Sequence, residues 1–359
     1  MAKKLVFLLT LLVVAGGSLS GMAKAVDFSG ETVTWIIPYR VGGGSDVWSR
    51  VYSPYLSKYL PGEPTVVVKN MPGAASITGV NYFHRKAKPD GLTAVGSSGS
   101  TILHYLLGKK EVAYEFKDYN IVFGSPVDGI TYIDPKFGVK SVADVKGLTE
   151  ELVYASQGAT SDDLVALLAY EMLGMKVKAV FGYKGRGAGR VAYEQGEASI
   201  DLQSVPAYVK NVLPLVEQGK AVPLFSYGVF DEQGNIVRDP IAPELPSFPE
   251  AYEMVHGKKP SGPAWEAWKA FFTAAFGIQK CMWLPKGTPE DVVAAFRKAA
   301  QDTLADPEFE KSLQTTLGGA RQMVGVSAEK AFNAVLNVPE TDKQWLINWL
   351  KDRYEVVID

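Results

Sequence analysis

The stretch Val33-Thr34-Trp35-Ile36-Ile37-Pro38-Tyr39, followed by Val41-Gly42-Gly43-Gly44-Ser45-Asp46, decides the fold. A β-rich run ends at Pro38, a glycine-rich loop follows, and Ser45 and Asp46 are good residues for a helix start. In the helix predicted next, Val47, Val51, Tyr55 and Tyr59 recur at spacing four as a buried stripe, and Pro54 should kink or split it. The same strand–loop–helix grammar returns along the chain. Thr65 to Lys69 reads as a strand, then Asn70-Met71-Pro72-Gly73 as a turn, then a short helix through Ile77, Val80 and Phe83. Thr93-Ala94-Val95 empties into Gly96-Ser97-Ser98-Gly99-Ser100. After about residue 125 the pattern recurs: Leu152 to Ala155 opens into Ser156-Gln157-Gly158-Ala159-Thr160-Ser161, with a helix over Leu164, Val165, Leu168 and Met172 stopping at Gly174. Val177 to Phe181 leads into Gly182 to Gly189, and Ala198 to Leu202 and Val222 to Phe225 read as further strands. Alternating strands and helices predict parallel α/β sheets, and the tail from Pro289 reads as helical.

Each glycine- and serine-rich loop lies between a strand end and a helix start. In open α/β sheets ligands gather there. The first helical amides lack internal acceptors, and the helix dipole adds partial positive charge. One such loop is an ordinary βα turn. Five, in both halves, predict an anion or carboxylate site built from amides and hydroxyls without needing buried lysine or arginine.

The 359 residues predict about two domains, and 47% hydrophobic content excludes a disordered chain. One cysteine excludes a disulfide scaffold, and 37 basic against 39 acidic residues give no sign of nucleic-acid binding. Lys3 and Lys4, the apolar run Leu5 to Ala15, and Ala23-Lys24-Ala25 have the form of a secretory signal peptide. Cleavage after Ala25 leaves 334 residues with 34 basic and 39 acidic, a net charge of −5. No cysteine near that point allows a lipid anchor, so the mature protein is expected to be free and exported.

Enzymatic patterns are incomplete. Arg190 stands where G-x-G-x-x-G needs its last glycine, and Ser100 where G-x-S-x-G does. His84, His104 and His256 have no metal-ligand spacing, so neither metal nor cofactor is expected. Cys281 and the aromatics Trp265, Trp268, Phe271, Phe272 and Phe276 read as packing.

The ordered motifs resemble the tripartite tricarboxylate transporter substrate-binding proteins, the TctC/Bug family. They are the opening stretch above, Val66 to Ala74, Pro89-Asp90-Gly91-Leu92-Thr93 with Gly96 to Gly99, and Tyr154 to Gly158. Tyr183-Lys184-Gly185, Gly196 to Asp201 and Pro285-Lys286-Gly287-Thr288-Pro289 continue the order to about Gly325. The resemblance implies a two-lobed, type II-like periplasmic binding protein, a Venus flytrap closing on a small organic carboxylate. It implies no enzyme activity, delivery to a large and a small permease subunit, and a monomer. The implied lobes are 26–124 with 226–359, and 125–225. Carried over by position, the first lobe offers Gly43, Gly44, Ser45, Asp46, Gly73, Ala74, Ser97, Ser98 and Ser100. The second offers Ser156, Gly158, Ala159, Thr160, Tyr183 and Gly185, with Asp201 and Ser204 at the cleft edge.

Departures from the family pattern include Ala75-Ser76 after Pro72-Gly73-Ala74, the segment Asp231 to Asn235, and Ser161-Asp162-Asp163 at a helix start. Those two acids compete with an anion for the dipole and are expected to face solvent. Arg186 and Arg190 either meet a second carboxylate or lie on the surface. Two other functions fit the chain: a secreted α/β hydrolase using a serine of the 97–100 loop with His104 as base, or a ligand-sensing receptor subunit.

Overall fold

The computed structural model describes residues 25–231, 233–317 and 322–358; the signal segment proper lies outside the described residues. In chain order the strands are β1 (Thr32–Ile37), β2 (Thr65–Asn70), β3 (Thr93–Ser97), β4 (Tyr119–Ser125), β5 (Gly129–Ile133), β6 (Leu152–Ser156) and β7 (Val177–Phe181). They continue with β8 (Ile200–Ser204), β9 (Val222–Ser226), β10 (Val229–Phe230), β11 (Ile236–Val237), β12 (Lys280–Pro285) and β13 (Met323–Val324). One sheet runs β13-β4-β12-β3-β1-β2, the other β7-β6-β8-β5-β9, and β10-β11 form a small hairpin.

The two large sheets share one ground plan. In each, a leading parallel strand, β1 or β6, pairs with the next strand in the chain (β2, β7) and with the one after that, the third (β3, β8). One antiparallel strand then inserts beside the third: β12 between β3 and β4, and β5 between β8 and β9. The sheets are therefore mixed, not purely parallel. The inserted strands follow passages between the halves, at Ser125–Gly129 and at Phe276–Lys280. A short strand entered from the far half carries no hairpin or βα signature, which is why β5 and β12 escape the periodic reading.

The first helix, Gly44–Tyr59, runs unbroken through Pro54. Its deepest stripe is Trp48, Tyr52 and Leu56, one position on from the predicted one, with Val51, Tyr55 and Tyr59 half-buried beside it. Trp48 wins that place because it packs edge-on to Trp35 at 5.0 Å and donates Nε1 to Ser125 Oγ at 2.9 Å. Under the second sheet, the helices Phe248–His256, Pro263–Phe276 and Glu340–Tyr354 join the core of Leu164, Leu168, Phe225 and Tyr227. Trp265, Trp268, Phe272 and Phe276 stack in sequence along one of these helices, at 5.3, 4.8 and 5.4 Å between rings. They are packing residues, and the last reaches the cleft. No helix among the described residues is long and apolar enough to cross a membrane.

Candidate ligand-binding site

Four helices begin at one cavity between the sheets. Their N-terminal flanking residues are Gly43, before Gly44–Tyr59; Ser98, before Gly99–Leu106; Asp162, before Asp163–Met172; and Gly185, before Arg186–Glu194. All four line the cavity, two from each half of the chain. Four positive dipole ends thus converge, which favours an anion, although the first amides of the Asp163–Met172 helix are already taken, that of Asp162 by Ser100 Oγ and that of Asp163 by Ser161 Oγ. Gly185 holds φ +123°, a conformation that side chains rarely adopt, and this turn lets the Gly187 backbone approach Gly43. A Cβ placed on Gly44 would lie 1.8 Å from Ser204 Oγ of the opposite half. Ser100 Oγ donates to Asp162 Oδ1 at 2.7 Å and accepts from the Asp162 amide at 3.0 Å. These contacts describe closed lobes. The space left is about 30 Å³, room for about two waters, so an organic acid enters only when the lobes part.

The wall also carries charge that the sequence reading passes over. Lys280, 4% exposed, opens β12 on the cavity, and among the described residues its ammonium makes no hydrogen bond or ion pair. Burial pushes its pKa down to about 8 against the opposing pull of Asp162. Asp162 and Asp163 do not face solvent. Asp163 accepts from Ser156 Oγ at 2.7 Å, the Gln157 amide at 2.7 Å and Tyr154 at 3.1 Å, and pairs with Arg186 Nε at 3.0 Å. Asp162 accepts from Ser100 and from Gln157 Nε2 at 3.0 Å; burial, then the neighbouring Asp163 charge, raises its carboxyl above the usual range. An acid pair reads as a polar helix start in sequence; what buries Asp163 is Arg186, which arrives from the following helix.

Arg186 is interior, not a surface residue. It joins Asp163, Asp201 at 2.9 Å and Tyr154 at 2.8 Å, with only an edge on the cavity. Arg190 pairs with Glu194 on its own helix. Of the residues carried over by position, Gly43, Gly44, Ser45, Ser98, Gly185 and Ser204 line the cavity, and Ser100 braces its Asp162 wall. Asp46 turns back to accept from the Gly42 amide at 2.9 Å and Asn70 at 3.0 Å, and Ser97 accepts from Trp283 at 2.8 Å. Ser156 serves Asp163, and Asp201 lies beneath the wall with Tyr132 at 2.5 Å. Gly158, Ala159 and Thr160 form the loop behind Gln157, where Lys109 reaches Thr160 at 3.4 Å. Gly73 and Ala74 sit at the turn after edge strand β2, and Tyr183 lines a neighbouring groove with Arg40 and Arg190. Tyr39, Arg40, Gln157, Phe276, Gln279 and Lys280 complete the wall. A lysine and a glutamine opening the apolar run Cys281-Met282-Trp283-Leu284 are the signal that could have found the last two.

No hydrolytic dyad is assembled among the described residues. Ser98 bonds Tyr39 and Ser100 bonds Asp162, while His104 is buried, unbonded at Nδ1, and held neutral by burial, which lowers its pKa to about 3.

The model of the tripartite tricarboxylate transporter family receptor, TctC, matches residues 49–324. The chain belongs to that family. It is therefore a solute-binding receptor of a periplasmic family, not an enzyme. A curated relative, the UPF0065 protein in the gbd 5' region of Cupriavidus necator, is 25% identical over 312 residues, 82% of this chain and 81% of its own. Two solved structures share the fold: periplasmic binding protein BugD, at 22% identity and TM-score 0.68 over 90% of this chain and 98% of its own, and R. palustris Rpa4515 with adipate, at 20% identity and TM-score 0.68 over the same shares.

Proposed function

We propose that this receptor captures a small organic carboxylate between its lobes and hands it to the large and small permease subunits of a tripartite tricarboxylate transporter. The supporting observation is the convergence of four helix N-termini and the unpartnered Lys280 on one interlobe cavity. Adipate in a relative of the same fold supports an organic acid as ligand. The ligand's carboxylate takes the amides of Gly44 and Ser45 on one side and those after Gly185 on the other, with Lys280 as counter-charge. By bridging the two halves it favours the closed form by its differential affinity. Mature protein begins near Val26, exported and monomeric. We divide it into a lobe around the first sheet and a lobe around the second, counting the helices Phe248–His256, Pro263–Phe276 and Glu340–Tyr354 to the second.

Calorimetric titration with adipate, succinate and glutamate tests this reading. One-to-one binding of at least one, without turnover, is expected; no binding by any of them contradicts it.

A further inference from the structure

The cavity is lopsided in its hydrogen-bonding chemistry. Helix amides and Lys280 supply donors, yet three acceptors on the same wall lack them. Gln157 and Gln279 are 9% and 1% exposed, and the Oε1 of each has no partner. The Gln157 amide cannot be turned round to cure this, because its Nε2 is committed to Asp162 Oδ1 at 3.0 Å. Asp162 is 8% exposed; both of its side-chain bonds fall on Oδ1, and Oδ2 takes none among the described residues. The two buried amide oxygens without a partner call for an explanation.

Charge points the same way. Of the charged groups in the interior of the site, Lys280 and the nine-tenths buried Arg186 are cations, and Asp162, Asp163 and Asp201 are carboxylates. Arg186 is spent on direct pairs with Asp163 and Asp201, so Lys280 is the first cation to answer Asp162 and Arg186 a weaker second. Arg40, at the mouth, is exposed to solvent and screened. A plain carboxylate entering this space makes two anions share one buried ammonium. A ligand that brings its own cation restores the balance.

We infer that the ligand is a carboxylate bearing a protonated amine, its carboxylate on Lys280 and the helix amides, its ammonium on Asp162, Gln157 Oε1 and Gln279 Oε1. This deepens, and rests on, the carboxylate-receptor reading above. An ammonium has three donors, one for each acceptor named.

The test is calorimetry on the mature chain at pH 7 with matched pairs differing by one amino group: aspartate and succinate, glutamate and glutarate, 4-aminobutanoate and butanoate. In at least one pair the amino member should bind at least tenfold tighter. Asp162→Asn should bring that preference within threefold and tighten the amine-free acid, a gain that mere structural damage does not produce. Gln279→Met, which leaves the Asp162 bonds intact, should cut the preference at least threefold. Amine-free acids binding as tightly in every pair, or a preference that survives both substitutions, overturns the inference and leaves the carboxylate receptor standing. No binding by any member overturns both.

Discussion

The loops Gly42–Asp46 and Gln157–Asp163 occupy equivalent places, each joining the leading parallel strand of its sheet, β1 or β6, to the helix that follows. Both use an acid in the first helical turn to hold the loop: Asp46 takes the Gly42 amide, and Asp163 takes the Gln157 amide. Each acid also pairs with an arginine, Arg50 or Arg186. There the likeness ends. Arg50 is half exposed, so the first loop is a lightly charged cradle of glycine amides. Arg186 is buried and holds two carboxylates, and a further acid, Asp162, is pushed against the cavity. On the reading proposed above, amides from both lobes hold the anion, and the second loop adds a polarity that sorts anions from one another.

The largest way to break this comparison is to remove the arginines in turn. Arg186→Met leaves Asp163 and Asp201 buried without their cation and should lower unfolding stability in urea by about 3–5 kcal/mol. Arg50→Ala, at an exposed pair, should cost under about 1 kcal/mol. Equal losses would show that the two loops are held alike.

Lys280 comes next. Lys280→Met should weaken carboxylate binding tenfold to hundredfold, as expected for a lost charge-assisted bond of about 1.5–3 kcal/mol. Its lowered pKa sets the sign with pH: the ammonium is charged below about 8 and neutral above. Affinity for an amine-free acid such as succinate, which has no group titrating in that window, should therefore fall from pH 7 to 9.5 in the wild type and stay level in Lys280→Arg. Asp162, Arg186 and Arg40 face the same cavity; neither arginine loses charge in that window.

Gly44→Ala probes the seam between the loops. Ser204 Oγ can rotate from the new methyl, but Ser204 Cβ remains 3.1 Å away, so the lobes close poorly. We expect about a tenfold loss of affinity, recovered in Gly44→Ala with Ser204→Gly. The smallest effects separate two serines that look alike in sequence. Ser45→Ala, on the cavity, should weaken binding a few-fold with stability unchanged. Ser156→Ala should instead cost about 1–2 kcal/mol of stability, because its hydroxyl serves the buried Asp163.

The motif loops were legible because their causes are local: a strand end, a glycine turn, a helix start. Gly43, Gly44, Ser98 and Gly185 lie in those loops, and it was the family resemblance that picked them out. What escaped is what the topology brings from afar. Lys280 reaches the cleft because β12 crosses back from the second half to insert between β3 and β4. Asp163 is buried because Arg186, on another helix, pairs with it, and Asp162 is held in the interior by Ser100 from the other half and by Gln157. The expectation of an anion site that needs no buried cation took no account of Lys280 for this reason: an adjacent acid pair and a lone lysine say nothing in one dimension about who shares their interior.

The central claim is that Lys280 is the cation on which a ligand carboxylate closes the lobes. Calorimetric titration of wild type and Lys280→Met at pH 7, with the tightest binder among the paired acids above, tests it most directly. The account predicts one-to-one binding in the wild type and at least a tenfold loss in the variant, with its melting temperature not lowered. An affinity unchanged by Lys280→Met would contradict it.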